Sequence, residues 1–294
     1  MSAMSMSSAV SAVSAGRGLA RFSLVRIVLG TLMVVLPVAS TMFLAHQLVP
    51  KPWRSLWPQL LAAALCLGGY LLYMRKVERR APDAFAMAGA GRELGAGLLL
   101  GGGLFTTAVA VLAAAGCYRV DGVNGWSVLA GPFAEMALVA LVEEIVFRAI
   151  LLRNLERSLG STAAVAISAL VFGLAHLPND NLTFVAIAVT VVAGTMLAAA
   201  YLATRRLWLV VGLHFGWNFS SDAIFSVATS GHPAKGILQG RTGGPAWLSG
   251  GDYGVEGSLL ALVLISLAAL ALLALAYRRG NMVSRLTART GACA

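Results

Sequence analysis

Charge is what this chain has least of. Asp, Glu, Lys and Arg together supply 12% of its 294 residues, about half the ~25% of an average soluble domain. So few ions cannot solvate a globular surface, which excludes a water-soluble fold, and an apolar share of 59% excludes a disordered one. Acids are scarcer still, 12 against 22 Lys and Arg. Cysteine is nearly missing: Cys66, Cys117 and Cys293 have no metal-ligand spacing, and no two of them read as a disulfide pair. Cys293 stands one residue from the end, the wrong place for lipidation of a C-a-a-X terminus. There is no repeat at a fixed period. What is present instead is long apolar runs, and the chain reads as a polytopic membrane protein.

A bilayer core takes roughly 20 apolar residues per helix. Uncharged stretches of that order run over 27–50, 55–74, 94–118, 158–179, 181–204 and 257–277. Two more are interrupted by acids: 127–152, with Glu135, Glu143 and Glu144, and 207–227, with Asp222. Eight spans with a cytoplasmic start leave only Lys51, Arg54, Arg119, Lys235 and Arg241 outside among the 22 basic residues. That is the asymmetry of the positive-inside rule, and it puts both termini in the cytoplasm. The positive charges flank spans rather than forming one patch, so nucleic acid is not an expected partner. Arg17 to Arg26 resembles the start of a signal peptide, but the following apolar run is too long, so the first span is expected to be retained. The Gly101–Gly103 run suits close helix packing; a phosphate loop there would lack its Lys.

Ionisable groups within hydrocarbon are costly and usually functional. Glu144 and Arg148 are four apart, acid first, and pair along one helix face. Glu143 turns about 100° away and has no partner on its own helix. His176 follows Phe172 by four, and His214 and Asn218, also four apart, share a face. A lone carboxylate, two imidazoles and an amide thus come from three helices, and facing one another relieves the cost of burying each. Glu135, two turns before Glu143, is a candidate for the same cavity; Asp222 is placed near the outer interface. His46 and His232 are expected in outside loops as surface residues. Counted at ~1.5 Å per residue, His176 should lie about 10 Å deeper from the cytoplasmic side than His214, a mismatch that tilted or projecting helices would remove.

Glu143-Glu144-x-x-x-Arg148, Phe172-x-x-x-His176 and His214-x-x-x-Asn218, in that order on three helices, resemble the motif set of the CAAX protease and bacteriocin-processing (Abi) family, which includes type II CAAX prenyl endopeptidases. The resemblance covers about 127–220. It implies an all-α intramembrane endopeptidase open to the cytoplasm, with Glu143 and His176 activating water, His214 and Asn218 donating to the oxyanion, and Glu144 with Arg148 structural or substrate-positioning. No cofactor is expected; Glu143, His176 and His214 are the set that a zinc ion would use, although no H-E-x-x-H motif is present. The expected layout is a disordered tail at 1–16, three transmembrane helices within 17–126, a catalytic core of four within 127–227, a flexible outside loop at 228–256, and the last helix with a basic tail at 257–294.

The expected partners are the lipid bilayer and a membrane-associated or lipid-modified peptide or protein. The excess of Arg over Lys hints at a GC-rich bacterial genome, hence a bacterial cytoplasmic membrane. Two other functions compete. One is a non-catalytic membrane scaffold, such as an immunity protein or sensor-kinase partner, which complete retention of the motif residues disfavours. The other is a proton-coupled transporter, disfavoured because the outer halves of the fifth to seventh helices are almost wholly apolar.

Overall fold

The computed structural model describes residues 23–284, so the expected N-terminal tail, Cys293 and most of the basic C-terminal tail lie outside the described residues. The helices are α1 (Ser23–Leu48), α2 (Trp57–Tyr73), α3 (Ala90–Ala114), α4 (Ala130–Glu144), α5 (Arg153–Leu159), α6 (Ser161–Ala175), α7 (Phe184–Thr204), α8 (Leu207–Phe219), α9 (Ala246–Ser249) and α10 (Leu259–Arg278). α4 runs into α5 through a widened π-helical stretch, Ile145–Leu152, and α2 and α8 end in π-helical turns, Met74–Glu78 and Ser220–Ile224.

Among the described residues five helices are long and apolar enough to cross a bilayer: α1, α2 with its extension to Glu78, α3, α7 and α10. This chain is a membrane protein, but the expected count of eight spans is not confirmed. The three remaining spans expected from the sequence are those that carry the motifs. α6 is apolar but has only 15 residues, ending one residue before His176. α4 and α8 hold acids or are short, and both pass into π-helical turns. Helices that carry polar groups to a cavity need only reach that cavity.

The fold is not purely helical either. β1 (Tyr118–Val123) and β2 (Leu238–Thr242) form an antiparallel pair with Arg119 opposite Arg241 and Val120 opposite Gly240. The Tyr118 hydroxyl donates to the Phe225 carbonyl at 2.9 Å, and burial pushes its pKa up to about 12, so it stays a donor. The segment expected as a flexible loop, 228–256, carries β2 and α9 and is folded. Asn124 Nδ2 donates to the Gly236 carbonyl, and the Gly231 amide to that of Tyr253.

The framework under the motifs is a glycine contact. α3 and α8 make the most extensive helix pair. A Cβ on Gly97 or Gly101 would meet the carbonyl oxygens of Leu209 and Leu213 at 2.2 and 2.0 Å, and one on Gly212 or Gly216 those of Leu94 and Leu98 at 2.4 and 2.6 Å. Each helix thus contributes a G-x-x-x-G face that brings the backbones together. His214 is two residues, about 200°, from Gly212, so the α8 face opposite the glycine seam carries His214 and Asn218. Gly102 and Gly103 lie outside the tightest part of this contact.

At one end of the bundle a belt of arginines ties the helix ends together. Arg157 pairs with Glu78 at 2.6 Å and Arg26 approaches the same carboxylate at 3.9 Å. Arg205 pairs with Glu156, Arg206 with Glu93, and Arg279 donates to the Ala203 carbonyl at 2.9 Å. The β1–β2 pair and 228–256 lie at the opposite end.

Candidate active site

A cavity of about 340 Å³ lies between α4, α6, α7 and α8. Its α4 wall is one face, Glu135, Val139, Glu143 and, in the π-helical stretch, Phe147, each four residues on. Its α8 wall is His214, Asn218 and, in the π turn, Asp222 at the same spacing. His176 and Phe172 supply the α6 wall. All four residues expected to be catalytic therefore border one space. Glu135 belongs to it as anticipated, while Asp222 also faces the cavity rather than only the outer interface.

The contacts refine the pairings. Glu144 is fully buried and bridges two helices: its Oε1 accepts from Arg148 Nη1 at 3.1 Å and lies 2.7 Å from His214 Nδ1. The i,i+4 pair expected within α4 is present, but the sequence could not show that the same carboxylate orients the imidazole of α8. Arg148, itself buried, also donates to the Gly194 carbonyl at 3.3 Å, and its guanidinium lies 4.6 Å from the centre of the Phe172 ring. Glu143 makes no such bond. Its Oε2 stands 3.9 Å from His214 Nε2, too far for a direct hydrogen bond and close enough for both to reach one bound group.

His176 is held differently. Its Nδ1 lies 2.8 Å from the Phe172 carbonyl oxygen, which can only accept, so Nδ1 carries a proton and Nε2 of the neutral ring is an acceptor. Phe172 links the two imidazoles, with ring centres 4.6 Å from His176 and 6.4 Å from His214. His176 stands one turn beyond Phe172, just past the end of α6, while His214 lies within α8. The closest approach of Glu143 to a motif imidazole is to His214 rather than to His176.

Five lining residues come from 228–256, a segment in which the sequence marks no functional residue: Thr229, Ser230, His232, Pro233 and Glu256. Glu256 clasps this rim in place, accepting from Trp217 Nε1 at 2.7 Å and from the Ser230 amide at 2.6 Å and hydroxyl at 2.7 Å. His232, expected as a surface residue, is exposed but borders the cavity, and His46 lies within α1 rather than in a loop. These residues, with Asn179, make the route towards the loop end polar, which the helix sequences alone do not reveal.

Among the described residues no group of three or more His, Cys, Asp or Glu side chains converges to hold a metal ion. Glu143, His176 and His214 border one cavity without forming the compact donor set that zinc requires. Cys66 and Cys117 are buried and free.

Residues 125–220 match the family model described as type II CAAX prenyl endopeptidase Rce1-like. The match covers α4 to α8 and all three motifs, about a third of the chain, in agreement with the resemblance read from those motifs. At the level of that family it denotes a CAAX-type protease, a hydrolase. Searches of curated proteins and of solved structures return no match.

Proposed function

We propose that this protein is an intramembrane endopeptidase that hydrolyses a peptide bond in a membrane-associated or lipid-modified peptide or protein. One observation carries the reading: the Glu143 carboxylate, whose Oε2 has no hydrogen-bond partner among the described residues, faces an oriented imidazole, His214, at 3.9 Å in a cavity also bordered by His176 and Asn218. Glu143 takes the proton of a water whose oxygen attacks the scissile carbonyl, with the Nε2 acceptor of His176 as the second polar wall of the water site. As the tetrahedral centre forms, its oxygen receives hydrogen bonds from Asn218 Nδ2 and from His214, whose ring, carrying both protons, donates Nδ1–H to Glu144 and Nε2–H to the oxyanion. The C–N bond then breaks and the proton held by Glu143 goes to the leaving amine. Glu144 and Arg148 act through His214 as positioning residues.

Positioned general bases contribute about 10²–10⁴-fold and a single oxyanion donor about 10²–10³-fold. The test is comparative membrane peptidomics of cells carrying the wild type against Glu143→Gln, a change that keeps size and removes the base. New peptide termini present only with the wild type support the peptidase. Coincident peptidomes favour a scaffold on the same fold.

A further inference from the structure

We infer that Glu135 and Asp222 form a specificity subsite for the positively charged side chain of a Lys or Arg about three or four residues from the scissile bond. The charge of the cavity is the first ground. Four carboxylates border it, those of Glu135, Glu143, Asp222 and Glu256, and no Lys or Arg is among its lining residues. Two of the four are engaged elsewhere. Glu256 is held by Trp217 and Ser230, and Glu143 faces His214. Glu135 and Asp222 remain. Glu135 begins the cavity face of α4 and Asp222 ends that of α8, and they stand near enough for their charges to act on each other. Lys235 is exposed and outside the lining, and what it brings beside Asp222 is its backbone amide. Two like charges facing one desolvated space repel, and a cation bound between them relieves both.

A second observation concerns what lies between the two acids and the reacting groups. Asn218, one turn from His214 and one turn from Asp222, is 7% exposed and faces the cavity, and its side-chain amide has no hydrogen-bond partner among the described residues. A buried amide calls for a polar partner. Besides the proton that its Nδ2 gives the oxyanion, its Oδ1 can accept a peptide N–H, which fits a chain lying along α8 from His214 to Asp222. Asp222 is placed as deeply, at 9% exposure. Spacing then sets the distance. Glu135 precedes Glu143 by eight residues and Asp222 follows His214 by eight, about 12 Å along either helix. An extended peptide covers that in about three or four residues at roughly 3.3 Å each. The pair suits an organic cation, since an ammonium or guanidinium needs only a carboxylate on each side. Met136 and Val139 on the same wall suit its aliphatic stem.

The place of the subsite relative to the cut rests on the peptidase reading; its preference for positive charge does not, so the two are measured separately. Glu135 is exposed on its helix, which makes it the position to vary. In a chain with Cys66, Cys117 and Cys293 changed to Ala, Val139→Cys puts a thiol on the cavity wall between Glu135 and Glu143. It is treated with a trimethylammonium and with a sulfonate methanethiosulfonate reagent. The ratio of cation to anion rates should fall about 10-fold when Glu135→Gln is added and further with Glu135→Lys; an unchanged ratio overturns the subsite. The chain with its native cysteines gives the second measurement, on quenched-fluorescent peptides acetylated at the amino terminus and differing only in where one Arg stands in an Ala and Leu sequence. The ratio kcat/KM should be highest with Arg about three or four residues from the cut. Glu135→Gln should lower it about 10-fold for that peptide and not for the one with Leu there, and Glu135→Lys should favour Glu at that position. Cleavage indifferent to charge at that position overturns the subsite and leaves the peptidase reading standing. Charge-selective labelling with no cleavage of any peptide overturns the peptidase reading and supports the cation site.

Discussion

Arg148→Met removes the guanidinium that lies against the Glu144 carboxylate in the buried interior. The wild-type pair is 3.1 Å apart, with side-chain exposures of 2% and 0%. Removing one partner of a buried ion pair costs about 3–5 kcal/mol, because the other charge stays desolvated. His214 still contacts the same carboxylate oxygen, which favours the lower end, about 3 kcal/mol. The Phe172 ring and the Gly194 carbonyl lose the guanidinium as well, while Met retains much of its apolar volume. At roughly 2–4 °C per kcal/mol for a domain of this order, unfolding in detergent should move down by about 6–12 °C, read by tryptophan fluorescence or by a fluorescent-fusion melting assay. Glu144→Gln alone strands the arginine and should cost a comparable amount. The double variant strands neither charge and should recover most of the loss, while peptidase activity stays low because His214 has lost its anchor. Single variants that melt within 2 °C of the wild type, or a double variant whose losses simply add, would refute the bridging role of Glu144.

Other expectations concern separate links in the account. Glu143→Gln should leave the unfolding temperature unchanged, since Glu143 makes no direct hydrogen bond or close ion pair, while peptide release falls by about 10²–10⁴-fold. Asn218→Ala should lower kcat by about 10²–10³-fold with little change in KM, measured on a substrate found by peptidomics. Gly101→Ala puts a methyl group 2.0 Å from the Leu213 carbonyl oxygen and should cost about 1–3 kcal/mol by forcing α3 from α8, visible as a lower melting temperature and lower folded yield. Glu256→Gln should release the Ser230 and Trp217 clasp, seen as faster amide exchange at residues 229–232.

The sequence reads well where chemistry is local. Glu144 with Arg148, His214 with Asn218 and the isolation of Glu143 all follow from helical spacing, because side chains four apart share a face. Glu135 follows by the same spacing. What spacing cannot show is which face meets which. The Glu144–His214 contact joins residues 70 apart, and nothing local to either fixes it. The glycine seam of α3 and α8 does decide it, and only part of that seam, the 101–103 run, stands out in the sequence. His232, Ser230 and Glu256 lie in a Gly- and Pro-containing segment with no periodicity, so their place at the cavity rim has no sequence signal. Tyr118 reads as the end of an apolar run, Gly240 interrupts an already short strand, and the two strands lie far apart in sequence, so the β1–β2 pair has no local signal. The five long apolar helices leave the expected count of eight unconfirmed where apolar length and polar side chains conflict: α6 stops before His176, and α4 and α8 trade hydrophobic length for the polar groups they present.

Chemical cross-linking within the membrane tests most directly whether the motif helices meet. In the chain with Cys66, Cys117 and Cys293 changed to Ala, Glu143→Cys is combined in turn with His176→Cys and with His214→Cys and treated with a short bifunctional thiol reagent. Both pairs should join within a single chain, read as a closed loop by mass spectrometry after proteolysis. Failure of both, while Glu143→Cys with Leu213→Cys joins readily, would contradict the shared cavity on which the proposed chemistry depends.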